Sequence, residues 1–284
     1  MALQNFIKTV WIAGIMRALD KAQVFASLAN NDYQGQLVNL GDRVKIMMIG
    51  DIAVTSYAKD ADITSPEDIQ DAASELIADQ AYYFNFKAND VEAVQQKSAL
   101  LNEATSRAAY GFRDKVDQFF AGLYAQAGIQ LYASATTPWD VTSLNVEDVL
   151  LAANEAAGVA NIPKEGRYLV VPEWFQTKLV LAGLATKTAN DQLYTNGFIQ
   201  RVLGWDIYQS NNVSQTNPAT GDHAKIFGGI KGQSTSFADV ISTIEAYRPE
   251  KRFEDAVKGL YVFGGKVIRP DMTLVIHADK TAEA

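Results

Sequence analysis

An α+β fold is predicted by three features of the sequence: β-type alternation at several separate places, one unbroken helical stretch of unusual length, and short helices set between strands. Val44, Ile46 and Met48 alternate with Arg43, Lys45 and Met47, the period of two of a ribbon with unlike faces. From Asp90 to Gly128 no proline intervenes, and apolar residues recur at Val91, Val94, Leu101, Ala104, Ala108, Phe112, Val116, Phe119 and Leu123, mostly three or four apart. The chain has 284 residues, enough for one large domain or two sharing a core, and 48% of them are hydrophobic, as in ordinary globular proteins.

Taken in order, Phe6, Val10, Ile12, Ile15, Leu19, Phe25 and Leu28 fall loosely on one helical face. That segment reads equally as an amphipathic core helix or as an arm seated on another chain. Leu37 to Tyr57 reads as two strands turned at Gly50-Asp51, the second carrying Ile52, Val54 and Thr55, with the polar Lys59-Asp60-Ala61-Asp62 after it. A lone hairpin is marginal in water, so this one must lie on its own domain or on a neighbour. Ser65-Pro66-Glu67 is a helix-start signal, and Leu76 to Lys87 reads as one strand, clearest in Tyr82-Tyr83-Phe84-Asn85-Phe86.

A continuous helix over Asp90 to Gly128 would extend about 57 Å at 1.5 Å per residue. A compact sphere of this chain length is about 48 Å across. The expectation is an elongated or plate-like subunit whose long edge faces another molecule, with Gly111 as the place for a bend. Asn145 is the predicted cap of a helix over Val146 to Gly158, which has Glu147 and Asp148 in its first turn. Tyr168 to Val171 is a strand stopped by Pro172, Glu173 to Leu181 a helix, and Ile199 to Tyr208 a hairpin. A surface loop over Ser210 to Asp222 precedes strands at Ala224 to Gly228, Thr235 to Tyr247, Leu260 to Ile268 (broken at Gly264-Gly265) and Leu274 to His277.

Composition removes whole classes of function. Without cysteine there are no disulfides, thiolate nucleophiles or cysteine metal sites, and two histidines are too few for a multi-histidine centre. A formal charge of −8 disfavours specific nucleic-acid binding. No apolar run approaches the roughly 18–20 residues of a bilayer span, and the start lacks a secretory layout, so a soluble intracellular product with no membrane partner is expected. Gly228-Gly229-Ile230-Lys231-Gly232 lacks the Walker spacing and reads as a turn. His223 reads as an exposed loop histidine, and His277 as a strand-end residue without an acidic partner. Asp79, and the pair Asp114 and Asp117 beside Arg113 and Lys115, read as solvated charges. No catalytic residue, metal or cofactor is expected. The run Arg248-Pro249-Glu250-Lys251-Arg252-Phe253-Glu254-Asp255 alternates both signs tightly; it reads as a solvated loop or as an interface whose charges set register.

Several stretches together resemble the major capsid proteins of tailed bacteriophages, a fold shared with encapsulin nanocompartments. They are Leu40-Gly41-Asp42-Arg43-Val44 through Ile49-Gly50-Asp51, Asp79-Gln80-Ala81-Tyr82-Tyr83-Phe84, and Leu101-Asn102-Glu103-Ala104-Thr105-Ser106-Arg107-Ala108-Ala109-Tyr110. Gly166-Arg167-Tyr168-Leu169-Val170-Val171-Pro172, Ser210-Asn211-Asn212-Val213 and Glu245-Ala246-Tyr247-Arg248-Pro249-Glu250-Lys251-Arg252-Phe253 complete the set. The likeness runs through nearly the whole chain in the same order.

The resemblance implies an N-terminal arm over 1–30, an extended hairpin loop over 31–63 lying across an adjacent subunit, a peripheral domain over 64–145 and 240–284 with the long helix as spine, and an axial domain over 146–239. It implies a non-enzymatic shell subunit that assembles with itself as pentamers and hexamers into an icosahedral head around double-stranded DNA. An encapsulin-like compartment enclosing an enzyme is the alternative; a soluble enzyme using His223 is a third reading. Scaffolding, portal and decoration proteins and non-specific contact with packaged DNA are the implied partners, and the virion capsid, assembled in the host cytoplasm, is the implied location. A built-in scaffolding segment is not expected. The assembly contacts expected are Arg43, Lys45, Asp51, Lys59 and Asp60 on the hairpin and Arg248, Glu250, Lys251, Arg252, Glu254 and Asp255 on the charged run. Some relatives weld subunits through a lysine–asparagine bond; Lys45 and Lys59 are on the right hairpin, but no acceptor is identifiable and no cross-link is expected.

Overall fold

The structure, a computed structural model, describes residues 24–36, 39–49, 56, 59, 71–89, 97–132, 138–184, 198–216, 223–248 and 254–281. A short helix α1 (Phe25–Leu28) leads to β1 (Arg43–Ile49), β2 (Asp71–Ile77) and β3 (Gln80–Asn89). The long helix α2 (Lys97–Gly122) runs into a 3-10 turn at Leu123–Gln126, then β4 (Ile129–Leu131) and β5 (Trp139–Val141). Helix α3 (Val146–Val159), β6 (Arg167–Val171), α4 (Glu173–Leu181), β7 (Phe198–Val202) and β8 (Trp205–Gln209) follow. The chain finishes with β9 (Ala224–Ile230), β10 (Thr235–Tyr247), β11 (Glu254–Val267) and β12 (Leu274–Lys280). Among the described residues no helix is long and apolar enough to cross a membrane.

The strands form three sheets. The largest has seven strands in the order β4-β12-β9-β6-β8-β7, with β5 beside β12. It is mixed, because β12 pairs β4 and β5 in parallel and β9 antiparallel, and β6 pairs β8 in parallel. A second sheet is β10-β11-β3, all antiparallel. The third is the two-stranded ribbon β1-β2.

In the large sheet, side-chain alternation sends Leu169, Val171, Trp205, Ile207, Ile226 and Ile276 to one face, where Val149, Leu150 and Ala153 of α3 and Phe175 and Leu179 of α4 cover them. Tyr168, Val170, Phe227 and Val275 point the other way, into a core shared with Phe25 and Leu28 of α1 and Phe112, Val116 and Phe120 of α2. The same stripe of α2 lies on the inner face of the three-stranded sheet. The Phe112 ring centroid is 4.9 Å from that of Tyr261, and Phe120 is 5.5 Å from Phe237. Burying one such ring contributes about 1.5–3 kcal/mol, so α2 is held from two sides.

Several expectations fail for identifiable reasons. The described partner of β1 is Asp71–Ile77: Arg43 stands opposite Ile77 and Ile49 opposite Asp71, so these strands are separated by residues 50–70, while the strand expected from Ile52 falls almost wholly outside the described residues. The turn at Gly50-Asp51 and the helix start at Ser65 lie outside the described residues. The single strand expected over Leu76 to Lys87 is two, divided at Ala78, whose N–H bonds the Asp42 carbonyl while its own carbonyl accepts from Gly41 N–H. Helix α2 spans 26 described residues, about 39 Å at 1.5 Å each, and passes through Gly111 without a break. That length is less than the width of the expected sphere, and the predicted start of the helix, residues 90–96, lies outside the described residues.

Gly264-Gly265 is no break. A Cβ on Gly264 would fall 2.2 Å from the Ile77 carbonyl oxygen, so glycine lets β11 and the β2–β3 link touch. Likewise Gly228 and Gly229 sit inside β9, and the turn comes later, at Gly232 with φ +72°. Asn145 occupies the N-cap position of α3 but its side chain makes no capping hydrogen bond; its Oδ1 accepts from Thr142 N–H at 2.8 Å and closes the preceding turn. The charged run is part strand, since Glu254 and Asp255 begin β11.

Candidate assembly surfaces

The β1–β2 ribbon has unlike faces, as its alternation requires. Val44, Ile46 and Leu76 are buried against Ala238, Val262 and Ile268, with Tyr33, Val240 and Leu260 alongside. The root of the ribbon is thus seated on its own chain. Its other face carries Arg43 and Lys45, with Glu75 directly across from Lys45. The Arg43 guanidinium makes a diagonal 3.2 Å ion pair with Glu75. Lys59 is exposed in a turn. Asp51 and Asp60 lie outside the described residues.

The second expected group falls at the far end of the three-stranded sheet. Arg248 leaves β10 exposed, and Glu254 and Asp255 enter β11 opposite Asn89 and Ala88 of β3. Glu250, Lys251 and Arg252 lie outside the described residues. The ribbon root is packed at Val262, eight residues along β11 from Glu254, or about 27 Å at 3.4 Å per residue. The described members of the two groups therefore lie toward opposite ends of one sheet.

Between them is a surface that the sequence reading passed over. On the outer face of the three-stranded sheet, the half away from the ribbon presents Tyr83, Asn85, Lys258, Glu245 and Tyr247. Tyr83 is 78% exposed. Asn85 Nδ2 donates to the Tyr247 hydroxyl at 3.0 Å, and Lys258 forms a 2.9 Å ion pair with Glu245 while lying 5.4 Å from the Tyr247 ring centroid. The signal was present in Tyr82-Tyr83-Phe84-Asn85-Phe86. Tyr82, Phe84 and Phe86 pack inward, so Tyr83 and Asn85 must point outward. A further apolar ridge runs along α3, where Leu144 is 87% and Val159 80% exposed, with Leu151 between them.

Asp117, His223 and His277, read as a solvated charge, an exposed loop residue and a strand-end residue, are placed otherwise. Asp117 is 3% exposed on α2 and accepts from the backbone N–H groups of Val24 at 3.5 Å and Phe25 at 3.3 Å, tying α1 to the long helix. Burial pushes its carboxyl up to about 6, against the lowering effect of those two hydrogen bonds and of Arg113. Asp114, its supposed companion, accepts from Gln118 at the surface. His223 is half-buried and not an exposed loop residue; its Nε2 lies 2.9 Å from Nδ1 of His277, which is itself in the interior of β12. Among the described residues, no group of three or more histidines and carboxylates is arranged to hold a metal ion.

Comparison with known proteins agrees with this architecture. The sequence profile of the phage capsid protein family matches residues 80–276, more than half of the chain. A search of curated protein sequences finds no match. Among solved structures, a protein of Mycobacterium phage Che8 is similar at 26% identity and a TM-score of 0.68, covering 89% of this chain and 90% of that one. The capsid of the cyanophage P-SCSP1u is similar at 19% identity with a TM-score of 0.66, over 92% of this chain and 89% of its own. A virus-like particle from Pyrococcus furiosus shares the fold at 10% identity with a TM-score of 0.56, over 95% and 99% of the two chains. The protein is thus a structural shell subunit rather than an enzyme, its place is the virion capsid, and it associates with copies of itself. By fold and by sequence the chain belongs to the phage capsid protein family.

Proposed function

We propose that the chain tiles as pentamers and hexamers into an icosahedral head that encloses a double-stranded DNA genome, assembled in the host cytoplasm. The observation that carries this reading is the uncovered half-face around Tyr83 and Tyr247 on a sheet otherwise packed on both sides. An exposed Tyr83 beside a polar network that holds Tyr247 suits a contact that is dry at its centre and polar at its rim. In this reading residues 64–145 and 240–284 form the peripheral domain, 146–239 the axial domain, 1–30 the arm and 31–63 the extended loop. Arg43, Lys45, Asp51, Lys59 and Asp60 meet one neighbour, and Arg248, Glu250, Lys251, Arg252, Glu254 and Asp255 another. Mixed charges at both ends of the sheet set register, and a closing shell makes many marginal contacts cooperative through effective concentration.

Scaffolding, portal and decoration proteins are the further partners. The net charge of −8 suits a wall that must not trap entering DNA by releasing counterions. An encapsulin-like compartment is the second reading, favoured by the likeness to the Pyrococcus furiosus particle.

Expression of the full chain, alone and together with the scaffold candidates encoded beside it, followed by negative-stain microscopy, tests the reading. Closed shells are the expected product. Mass spectrometry of particles from infected cells separates the two readings: packaged DNA supports the first and a single enclosed enzyme the second. A chain that stays monomeric under every condition, scaffold included, overturns both.

A further inference from the structure

The chain has only two histidines, and the fold brings them together. We propose that His223 and His277 form an acid-sensitive clasp joining the seven-stranded sheet to the end of the long helix. His277 projects from β12 and is 4% exposed. Its Nε2 lies 3.3 Å from Oε1 of Gln130 on β4. The Gln130 amide is oriented by its Nε2, which donates to the Tyr124 and Ala127 carbonyls that close the long helix. Its Oε1 can only accept, so His277 carries a proton on Nε2, and a neutral ring then presents a bare Nδ1. His223 donates to that Nδ1 from its own Nε2 over 2.9 Å. One chain of hydrogen bonds therefore runs from the start of β9, through β12, to the helix end.

The surroundings decide how this chain answers acid. Lys225 of β9 reaches Thr216 Oγ1 at 3.2 Å and lies 5.6 Å from the Tyr124 ring centroid. Tyr124, from the 3-10 turn, stands edge-on to His277 at 6.4 Å. Asp279 of β12 accepts the backbone N–H of His223, holding that residue at φ 49°. A first proton goes to His223 Nδ1, where Asp279 partly offsets it, and leaves the clasp intact. A second can enter only at His277 Nδ1, where it removes the acceptor and places two cations in contact beside Lys225. Burial holds both imidazoles below the ordinary histidine value, as does Lys225, and His277 is lowered further by His223. The open form thus binds more protons than the closed one. The stabilisation is complete above the ordinary histidine value of about 6.5 and is lost as pH falls through the lowered folded values.

Two imidazoles in one chain make the test direct. In the full-length subunit, side-chain NMR should show both rings as Nε2–H tautomers at neutral pH, titrating below 6.5 and in a coupled manner. Hydrogen exchange across 124–130 and 274–279, corrected for its intrinsic rate, should speed up about tenfold or more in acid, the factor that one unit of linked titration carries. His277→Gln should remove that acid response, and Lys225→Met should move both midpoints up. Two independent titrations at the ordinary value overturn the proposal, as does an acid response that survives in His277→Gln. The titration of the unmodified chain decides the matter if a variant does not fold.

Discussion

The seven-stranded and the three-stranded sheets use the same strand chemistry, β-branched and aromatic residues at period two, yet they finish differently. The large sheet is covered on one face by α3 and α4 and on the other by Phe25, Leu28 and the long helix. Among the described residues, the small sheet is covered by α2 inside and, outside, by the β1–β2 ribbon lying on Val262 and Ala238. The rest of that face carries the exposed Tyr83 beside the Asn85–Tyr247 and Lys258–Glu245 pairs. The first region is complete within one chain. The second leaves Tyr83 in water, and that exposed half is the surface proposed above for contact between copies, so the contrast between the two sheets is where the proposal can be tested.

Four substitutions break or sharpen that contrast. The largest expected effect is Phe175→Ala, in the closed core beneath α4, where the fully buried ring is lost. It should cost the isolated subunit about 3–5 kcal/mol in denaturant unfolding, and a loss below about 1 kcal/mol would mean that this core is not self-sufficient. Next comes Asp117, which joins α1 to the helix between the sheets. Its carboxyl is raised from 3.8 to about 6, so the native state binds the proton more tightly than the unfolded chain. The stability it adds is complete below 3.8 and lost as pH rises through about 6, a component of roughly 2–3 kcal/mol. Stability measured at a series of pH values should show that component in the natural chain and not in Asp117→Asn; identical profiles would contradict the burial.

Tyr83→Ser should change subunit stability by no more than about 0.5 kcal/mol, because the side chain is already in water. It should nevertheless raise the concentration needed for shell formation several-fold, read by light scattering; unchanged assembly would remove Tyr83 from the contact. Arg43→Ala is the mildest. An exposed pair such as Arg43–Glu75 is worth about 0–1 kcal/mol and is screened by salt. Its effect should appear in the salt dependence of assembly and hardly at all in unfolding.

Much of the fold was legible because local rules govern it. Helices α3 and α4 and strands β6, β10 and β12 lie where periodicity, Pro172 and the β-branched runs put them. The errors cluster where a distant partner overrides a local signal. Gly264-Gly265 looks like an interruption until the Ile77 carbonyl is seen against it. The partner of β1 seen in the structure is Asp71–Ile77, a distant segment that local alternation does not announce. Of the residues proposed for assembly, Arg43 and Lys45 of β1 follow from alternation alone. Tyr83 was equally available from the inward set Tyr82, Phe84 and Phe86 and was missed because an aromatic run is read first as core.

By itself the sequence determined the fold class and the order of most elements, since hydrophobic period and turn chemistry act within a few residues; the kind of protein came from its resemblance to the phage capsid family, with the absence of cysteine excluding only some classes of function. Only the tertiary structure decided which strand pairs with β1, which half of the small sheet stays bare, and that Asp117 is buried and the two histidines touch. Those outcomes depend on contacts between residues far apart in the chain, such as the 54 positions separating His223 from His277, and no local pattern encodes them.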